Sequence, residues 1–389
     1  MKAGKATTFM LAAVAVCATA FVMAGCGGEK ADRATAGNMS KKAYINIGQI
    51  ISSTGVAGET SKNVSYGVTT AVNEINSNGG VSVNGVNYKF KLMTADDKEN
   101  KDLAGNAYNN LKDKKIKALI SPVSVESCKE IEKTVNDDNI PMMIPNISSG
   151  DVGSYDNEYR VSMSDVQIGE KAAEYVYDEL NVRRVVTFRE DKYAGVVDAF
   201  INRFQSLGGT IVTNNTYADA AGITPEALED LVNASPDLIF IPDDIANAAD
   251  HLDILNSTEV GAAVMGINSW YKLDTKQKQY SGLCSIYYLC ENDEDIVFMA
   301  EYGAEGLVTN SLEAEYGYDA VYILKEAIEE AGAIDEDLII AAMSMINVNG
   351  YTGDNICYEE KCDNLKEVKF RTIQYVAEEV ATEETEEAE

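Results

Sequence analysis

Four predicted strands in this chain end in polar loops, and those loops hold most of the residues that could grip a ligand. Ile120 runs into Ser121-Pro-Val-Ser124, followed by Val125 and Glu126 at the start of a predicted helix. Ile144 runs into Pro145-Asn146-Ile147-Ser148, Phe188 into a loop ending at Tyr193, and Ile241 into Pro242-Asp243-Asp244. In open parallel sheets, small ligands sit beyond the carboxyl ends of the strands. The N–H groups after Ser124 suit an anion such as a carboxylate. Ser124 as an N-cap and Glu126 in the first turn also serve helix stability. Two sets of such loops closing on one small polar molecule would desolvate it.

Catalytic chemistry has less support. His251 is the only histidine, so a two-histidine zinc helix is excluded and a Ser-His-Asp triad would have to use it. It lies in Asn247-Ala-Ala-Asp-His251-Leu-Asp253, which reads as a solvated helix surface. The GxxxxGK[ST], GxGxxG and GxSxG patterns are all missing. Cys128, Cys284, Cys290, Cys357 and Cys362 lie outside the N-terminal region and include no CxxC pair, so neither a metal nor a cofactor is expected. Cys357 and Cys362 are spaced for a hairpin bridge, but an odd number of thiols leaves at least one elsewhere. The net charge of -31 argues against nucleic acid as a partner.

Strands and helices must position these loops. Length suggests about two domains. Residues 43–51 alternate as a strand, and Val64, Val68, Ala71, Val72 and Ile75 recur at helical spacing. Asn84-Gly85 signals a tight turn. Strand–helix alternation runs to about 144, restarts at about 166 and continues past 265. Two such runs predict two α/β lobes, each a doubly wound parallel sheet. Residues 316–331 form a strong amphipathic helix closed by Gly332, and 368–374 read as a terminal strand. Residues 376–389 hold seven Glu and no basic residue, the pattern of a solvated acidic disordered tail.

The N-terminus reads as an address. Lys2 and Lys5 precede an apolar run, and Met23-Ala24-Gly25-Cys26 resembles the lipobox of bacterial lipoproteins. This predicts a signal peptide over 1–25, lipidation at Cys26, a flexible tether over 26–42 and an extracytoplasmic body attached to the cell membrane through its lipid.

Over some 330 residues the body resembles the leucine/isoleucine/valine-binding family, the amino-acid-type solute-binding proteins of ABC importers. The resemblance is carried by Gly48-Gln-Ile-Ile-Ser-Ser-Thr-Gly55 and by Ala71-Val-Asn-Glu-Ile-Asn-Ser-Asn-Gly-Gly80. Further matches are Ala118-Leu-Ile-Ser-Pro-Val-Ser124, the loop after Ile140, Val185-Val-Thr-Phe-Arg-Glu-Asp-Lys-Tyr193, and Tyr318-Asp-Ala-Val321 with Tyr351-Thr-Gly353. It implies a type I periplasmic-binding-protein fold: two lobes joined by three crossovers, with the ligand in the interlobe cleft. The crossovers would fall near 160–164, 283–286 and 347–351. Residues 43–159 plus 287–346 would then form one lobe, and 160–286 plus 347–375 the other.

The resemblance also implies the contacts. Ser124 and Val125 fall where the family holds an amino acid's carboxylate, and Ser148 where a hydroxyl meets both carboxylate and ammonium. Asn146 falls on a carbonyl contact, Tyr193 on the second-lobe tyrosine, Asp244 on a further tyrosine and Asn268 on the acid that pairs with the ammonium. Asp244 could restore the charge absent at Asn268. The implied function is non-enzymatic capture, as a monomer, of an amino acid or related amine for an ABC permease. A ligand-sensing receptor component of the same fold is the alternative, and a secreted enzyme using the cleft is a third reading.

Overall fold

The computed structural model describes residues 43–217, 223–243, 245–273, 280–291, 295–303, 306–359 and 362–373. The expected leader, Cys26, the tether, Asp244 and the acidic tail lie outside the described residues.

Two six-stranded sheets dominate. The first runs, in spatial order, β2 (Val81–Val83), β3 (Val86–Asp96), β1 (Tyr44–Ile51), β4 (Ala118–Ile120), β5 (Met142–Ile144) and β6 (Glu158–Arg160). The second runs β14 (Lys369–Thr372), β11 (Ile286–Cys290), β10 (Ala263–Gly266), β9 (Leu238–Phe240), β7 (Arg184–Arg189) and β8 (Thr210–Thr216). Pairing is parallel except at one edge of each sheet, where β2 lies antiparallel to β3 and β14 to β11. Asn84 and Gly85 turn the β2–β3 hairpin with φ of 49° and 79°, the left-handed backbone that such a two-residue turn requires.

Alternation along β1 decides which helices cover which face. Ile45 and Ile47 pack beneath α1 (Gly58–Ser77) and α9 (Ser311–Ala331), and Ile50 beneath α2 (Lys101–Lys112) and α3 (Val125–Asp137). The two covering helices of the first face approach backbone to backbone. A Cβ at Gly67 would lie 1.7 Å from the Ala314 carbonyl oxygen, and one at Gly317 2.2 Å from that of Val64. In the second lobe, α4 (Asp165–Glu174) and α5 (Ala194–Ser206) cover one face, where Phe200 stacks on Phe240 at 4.1 Å. On the other face α6 (Pro225–Ala234) begins on a Thr224 cap, followed by α7 (Ile245–Asn256). At its end α4 relaxes into a π-turn at Tyr175–Glu179.

The chain passes between the lobes three times. Arg160 ends β6, and Met163 already packs in the second core. The second passage follows Cys290, because β11 pairs with β10 and completes the second sheet. Phe298, on α8 (Asp295–Glu301), is back in the first core. The third follows Cys362: Val348, Ile356, Tyr358 and Cys362 all pack in first-lobe cores, and Phe370 in the second. The last two passages thus come later than the expected 283–286 and 347–351. Residues 351–353 lie within a hairpin of β12 (Val348–Gly350) and β13 (Gly353–Ile356) held on α9, where Asp319 accepts from the N–H groups of Tyr351 and Thr352 at 3.0 and 2.8 Å. Cys357 and Cys362 carry free thiols.

Buried polar groups stitch the passages together. Lys366 Nζ meets Glu291 Oε2 at 2.5 Å, with both side chains almost fully buried, and also donates to the Val161 carbonyl at 2.9 Å. Glu291 accepts from Tyr316 Oη at 2.8 Å and from the Met163 N–H at 3.3 Å. The Asn364 amide donates to the carbonyls of Arg160, Val161 and Ser162 at 2.9–3.2 Å. Arg160 bonds Asp363 at 2.7 Å and the Val152 carbonyl at 2.8 Å.

Removing one partner of a buried pair strands a charge, so Lys366→Met is expected to lower stability by about 3–5 kcal/mol in urea unfolding. A loss below about 1 kcal/mol would contradict this role. Glu158, buried on β6, is pushed up to about 7 by burial, with the Glu132 carboxylate adding to the rise. Its pKa is higher folded than unfolded, so its contribution is complete below the usual carboxylate range and is lost as pH rises through about 7. The melting temperature should therefore fall between about pH 4.5 and 7 and level off above that, and Glu158→Gln should flatten that slope. An unchanged slope in the variant would contradict the assignment.

Candidate functional site

Parallel pairing brings the carboxyl ends of β1, β4 and β5 to one edge of the first sheet, and those of β7, β9, β10 and β11 to one edge of the second. The expected contact residues follow these ends.

On the first lobe, Ser124 caps α3, its hydroxyl accepting from the Ser127 N–H at 3.5 Å. The N–H groups of Val125 and Glu126 have no acceptor within the helix, as at any helix start. Glu126 is exposed. The neighbouring loop after β5 is richer in acceptors. Asn146 Oδ1 is buried without a hydrogen-bond partner among the described residues. The Ser148 carbonyl accepts from the Asp165 N–H at 2.9 Å, which ties the first lobe to the start of α4. Burial holds the Asp165 carboxyl above its ordinary range, although Ser148 and Arg160 pull it down.

On the second lobe, Tyr193 closes a turn after β7, its N–H bonding the Glu190 carbonyl at 3.0 Å, and its ring is half-buried. The chain two residues on lies against Asp165: a Cβ at Gly195 would come within 2.8 Å of Asp165 Oδ2. Asp165 thus touches the Ser148 loop on one side and the Tyr193 loop on the other. Sequence reading missed it because an acid in a helix's first turn, one residue after the Ser164 cap, has a sufficient local explanation.

Asn268 departs from expectation. Its amide is occupied at both ends by Glu291, donating to Oε1 at 2.7 Å and accepting from the Glu291 N–H at 2.7 Å. The carboxylate at this corner is therefore Glu291, 23 residues downstream. Asp244 lies outside the described residues. Its neighbour Asp243 is fully buried, bonds His251 Nδ1, and offers its carbonyl to Trp270 Nε1 at 3.1 Å. The expectation of a solvated His251 is thus wrong. The ring is 3% exposed and packs edge-on to Tyr217, because its partner ends the strand before α7.

The assembled loops offer helix N–H groups at Ser124–Glu126 and, on the adjacent loop, carbonyl and carboxylate oxygens at Asn146 and Asp165. Donors beside acceptors match a molecule carrying both a carboxylate and an ammonium.

Comparison with known proteins agrees with this architecture. The sequence profile of the family described as Periplasmic binding protein matches residues 44–376. The chain is 25% identical over 313 residues to the Leu/Ile/Val-binding protein BraC3 of Rhizobium johnstonii, spanning 77% of this chain and 83% of that one. Its fold superposes on the leucine-binding protein LivK of Thermotoga maritima with a TM-score of 0.62 at 22% identity, covering 85% of this chain and 98% of that one. It also superposes on an ABC-transporter solute-binding protein of Rhodopseudomonas palustris in complex with 3,4-dihydroxybenzoic acid, with a TM-score of 0.67 at 18% identity, covering 86% and 94%. The two strand-end edges, the three passages and the span of the match make this chain a member of the periplasmic binding protein family.

Proposed function

We propose that this chain captures an amino acid or closely related amine between its lobes and hands it to an ABC permease, from an extracytoplasmic position secured by a lipid on Cys26. The observation that carries the ligand class is the buried Asn146 Oδ1, unpartnered among the described residues, in the loop whose Ser148 carbonyl accepts from the Asp165 N–H. A buried acceptor without a donor costs about 1–3 kcal/mol, which a ligand ammonium would recover. The helix start after Ser124 would take the ligand's carboxylate, and Tyr193 would close over it from the second lobe. Asp165 supplies the negative charge expected at Asn268, with Glu291 held behind that amide. Relatives named for leucine, isoleucine and valine support an amino acid. The dihydroxybenzoate complex is a reminder that the same fold also takes acids without an ammonium. In this chain the local excess of acceptors favours the ammonium-bearing class.

Calorimetric titration of the full chain tests this reading with L-leucine, N-acetyl-leucine and 3,4-dihydroxybenzoate. Leucine should bind and the two ligands lacking an ammonium should not. Asp165→Asn should weaken leucine by about tenfold or more, since a charged hydrogen bond becomes a neutral one. Binding of dihydroxybenzoate alone, or leucine binding unchanged in both Asp165→Asn and Tyr193→Ala, would contradict the assignment. For the anchor, Cys26→Ala should move the chain from the membrane fraction to the soluble fraction. Retention in the membrane would argue for another attachment.

A further inference from the structure

A cavity of about 470 Å³ lies beside the third passage, and none of Ser124, Asn146, Ser148, Tyr193 or Asn268 lines it. Tyr318 and Tyr322 of α9 form one wall, with Tyr351 of the hairpin turn meeting them. Tyr318 and Tyr322 are stacked at 4.8 Å, and Tyr351 stands edge-on to Tyr318 at 5.2 Å. The opposite wall is Glu367, Val368 and Lys369, where the chain enters β14 of the second lobe. Glu291 reaches the cavity from the clamp between the lobes.

The lining has a definite chemistry. Four carboxylates, Glu291, Asp319, Asp354 and Glu367, face one ammonium, Lys369. Two of the four are buried and engaged in short contacts, while Glu367 accepts from Asn355 Nδ2 at 3.4 Å. Asp319 accepts three hydrogen bonds from Tyr351 and Thr352, and Glu291 pairs with Lys366. Asp354 and Glu367 stand exposed at the rim. Aromatic faces flanked by carboxylates attract organic cations through the ring quadrupole and direct charge. The volume falls in the range of small-molecule sites.

We propose that this cavity is a second binding site, on the hinge side, for a small aliphatic amine, held against the half-buried rings of Tyr322 and Tyr351 with Asp354 and Glu367 as its counter-charges. Its walls belong to both lobes, so an occupant contacts the two bodies that must move when the interlobe cleft closes. Its lining includes none of Ser124, Asn146, Asp165 or Tyr193.

Titration of the full chain with 1,4-diaminobutane, and with 1,4-butanediol as an uncharged control, tests it. Saturable binding of the diamine and none of the diol is expected. Tyr322→Leu and the doubly substituted Asp354→Asn/Glu367→Gln should each weaken the diamine by about tenfold. The second variant alters only exposed side chains, so its fold is not at risk. Asp165→Asn and Tyr193→Ala should leave diamine binding unchanged, even if they abolish leucine binding. Absence of saturable binding would overturn the proposal, as would equal binding by both cavity variants. Loss of binding in Asp165→Asn or Tyr193→Ala would also overturn it, since the amine would then sit between the lobes.

Discussion

The ion pair between Glu291 and Lys366 is the constraint on which the arrangement of the lobes rests. Each residue sits at a passage between the sheets, and each is cut off from water. Two buried charges tolerate little displacement, because moving either one strands the other in a poorly polarisable surrounding. The same carboxylate binds Asn268 on a second-lobe strand end, Tyr316 on a first-lobe helix and the Met163 N–H on the first passage. One side chain thus fixes parts of both lobes. Asn364 performs the complementary task with its amide, holding three successive carbonyls of the first passage.

From that clamp the chemistry of the cleft follows. Glu291 holds both ends of the Asn268 amide and is itself balanced by Lys366, so that corner is neutral overall and already satisfied. A buried acceptor without a partner among the described residues lies on another loop, at Asn146 Oδ1. Asp165 is where the lobes touch, through the Ser148 carbonyl and the start of α5. A carboxylate kept partly desolvated at a moving junction gains most from a cation that arrives as the junction closes. The chain's strong negative charge adds a long-range attraction for cations and leaves the helix start at Ser124 as a local exception suited to a carboxylate.

Much of this was legible in the residues because it is local. Strand alternation at Ile45 and Ile47, the Asn84-Gly85 turn and the Ser124 cap all depend on neighbours a few positions away. The features that were not legible depend on distant partners. His251 reads as polar helix surface until Asp243, at the end of the preceding strand, draws it inward. Asn268 reads as a ligand contact until β11 brings Glu291 beside it. The second and third passages come late because strand character says where a strand is but not which sheet will pair with it. Residues 286–290 join the second sheet through β10, and 348–356 pair with themselves against α9.

The central claim is that the cleft selects an ammonium-bearing small molecule. Native mass spectrometry of the full chain isolated from its own cells, with identification of the co-purifying small molecule, tests it most directly. One bound α-amino acid or close amine relative per chain is the predicted result. A bound aromatic acid, sugar or other molecule without an ammonium would contradict the account and return the specificity of Asn146 and Asp165 to an open question.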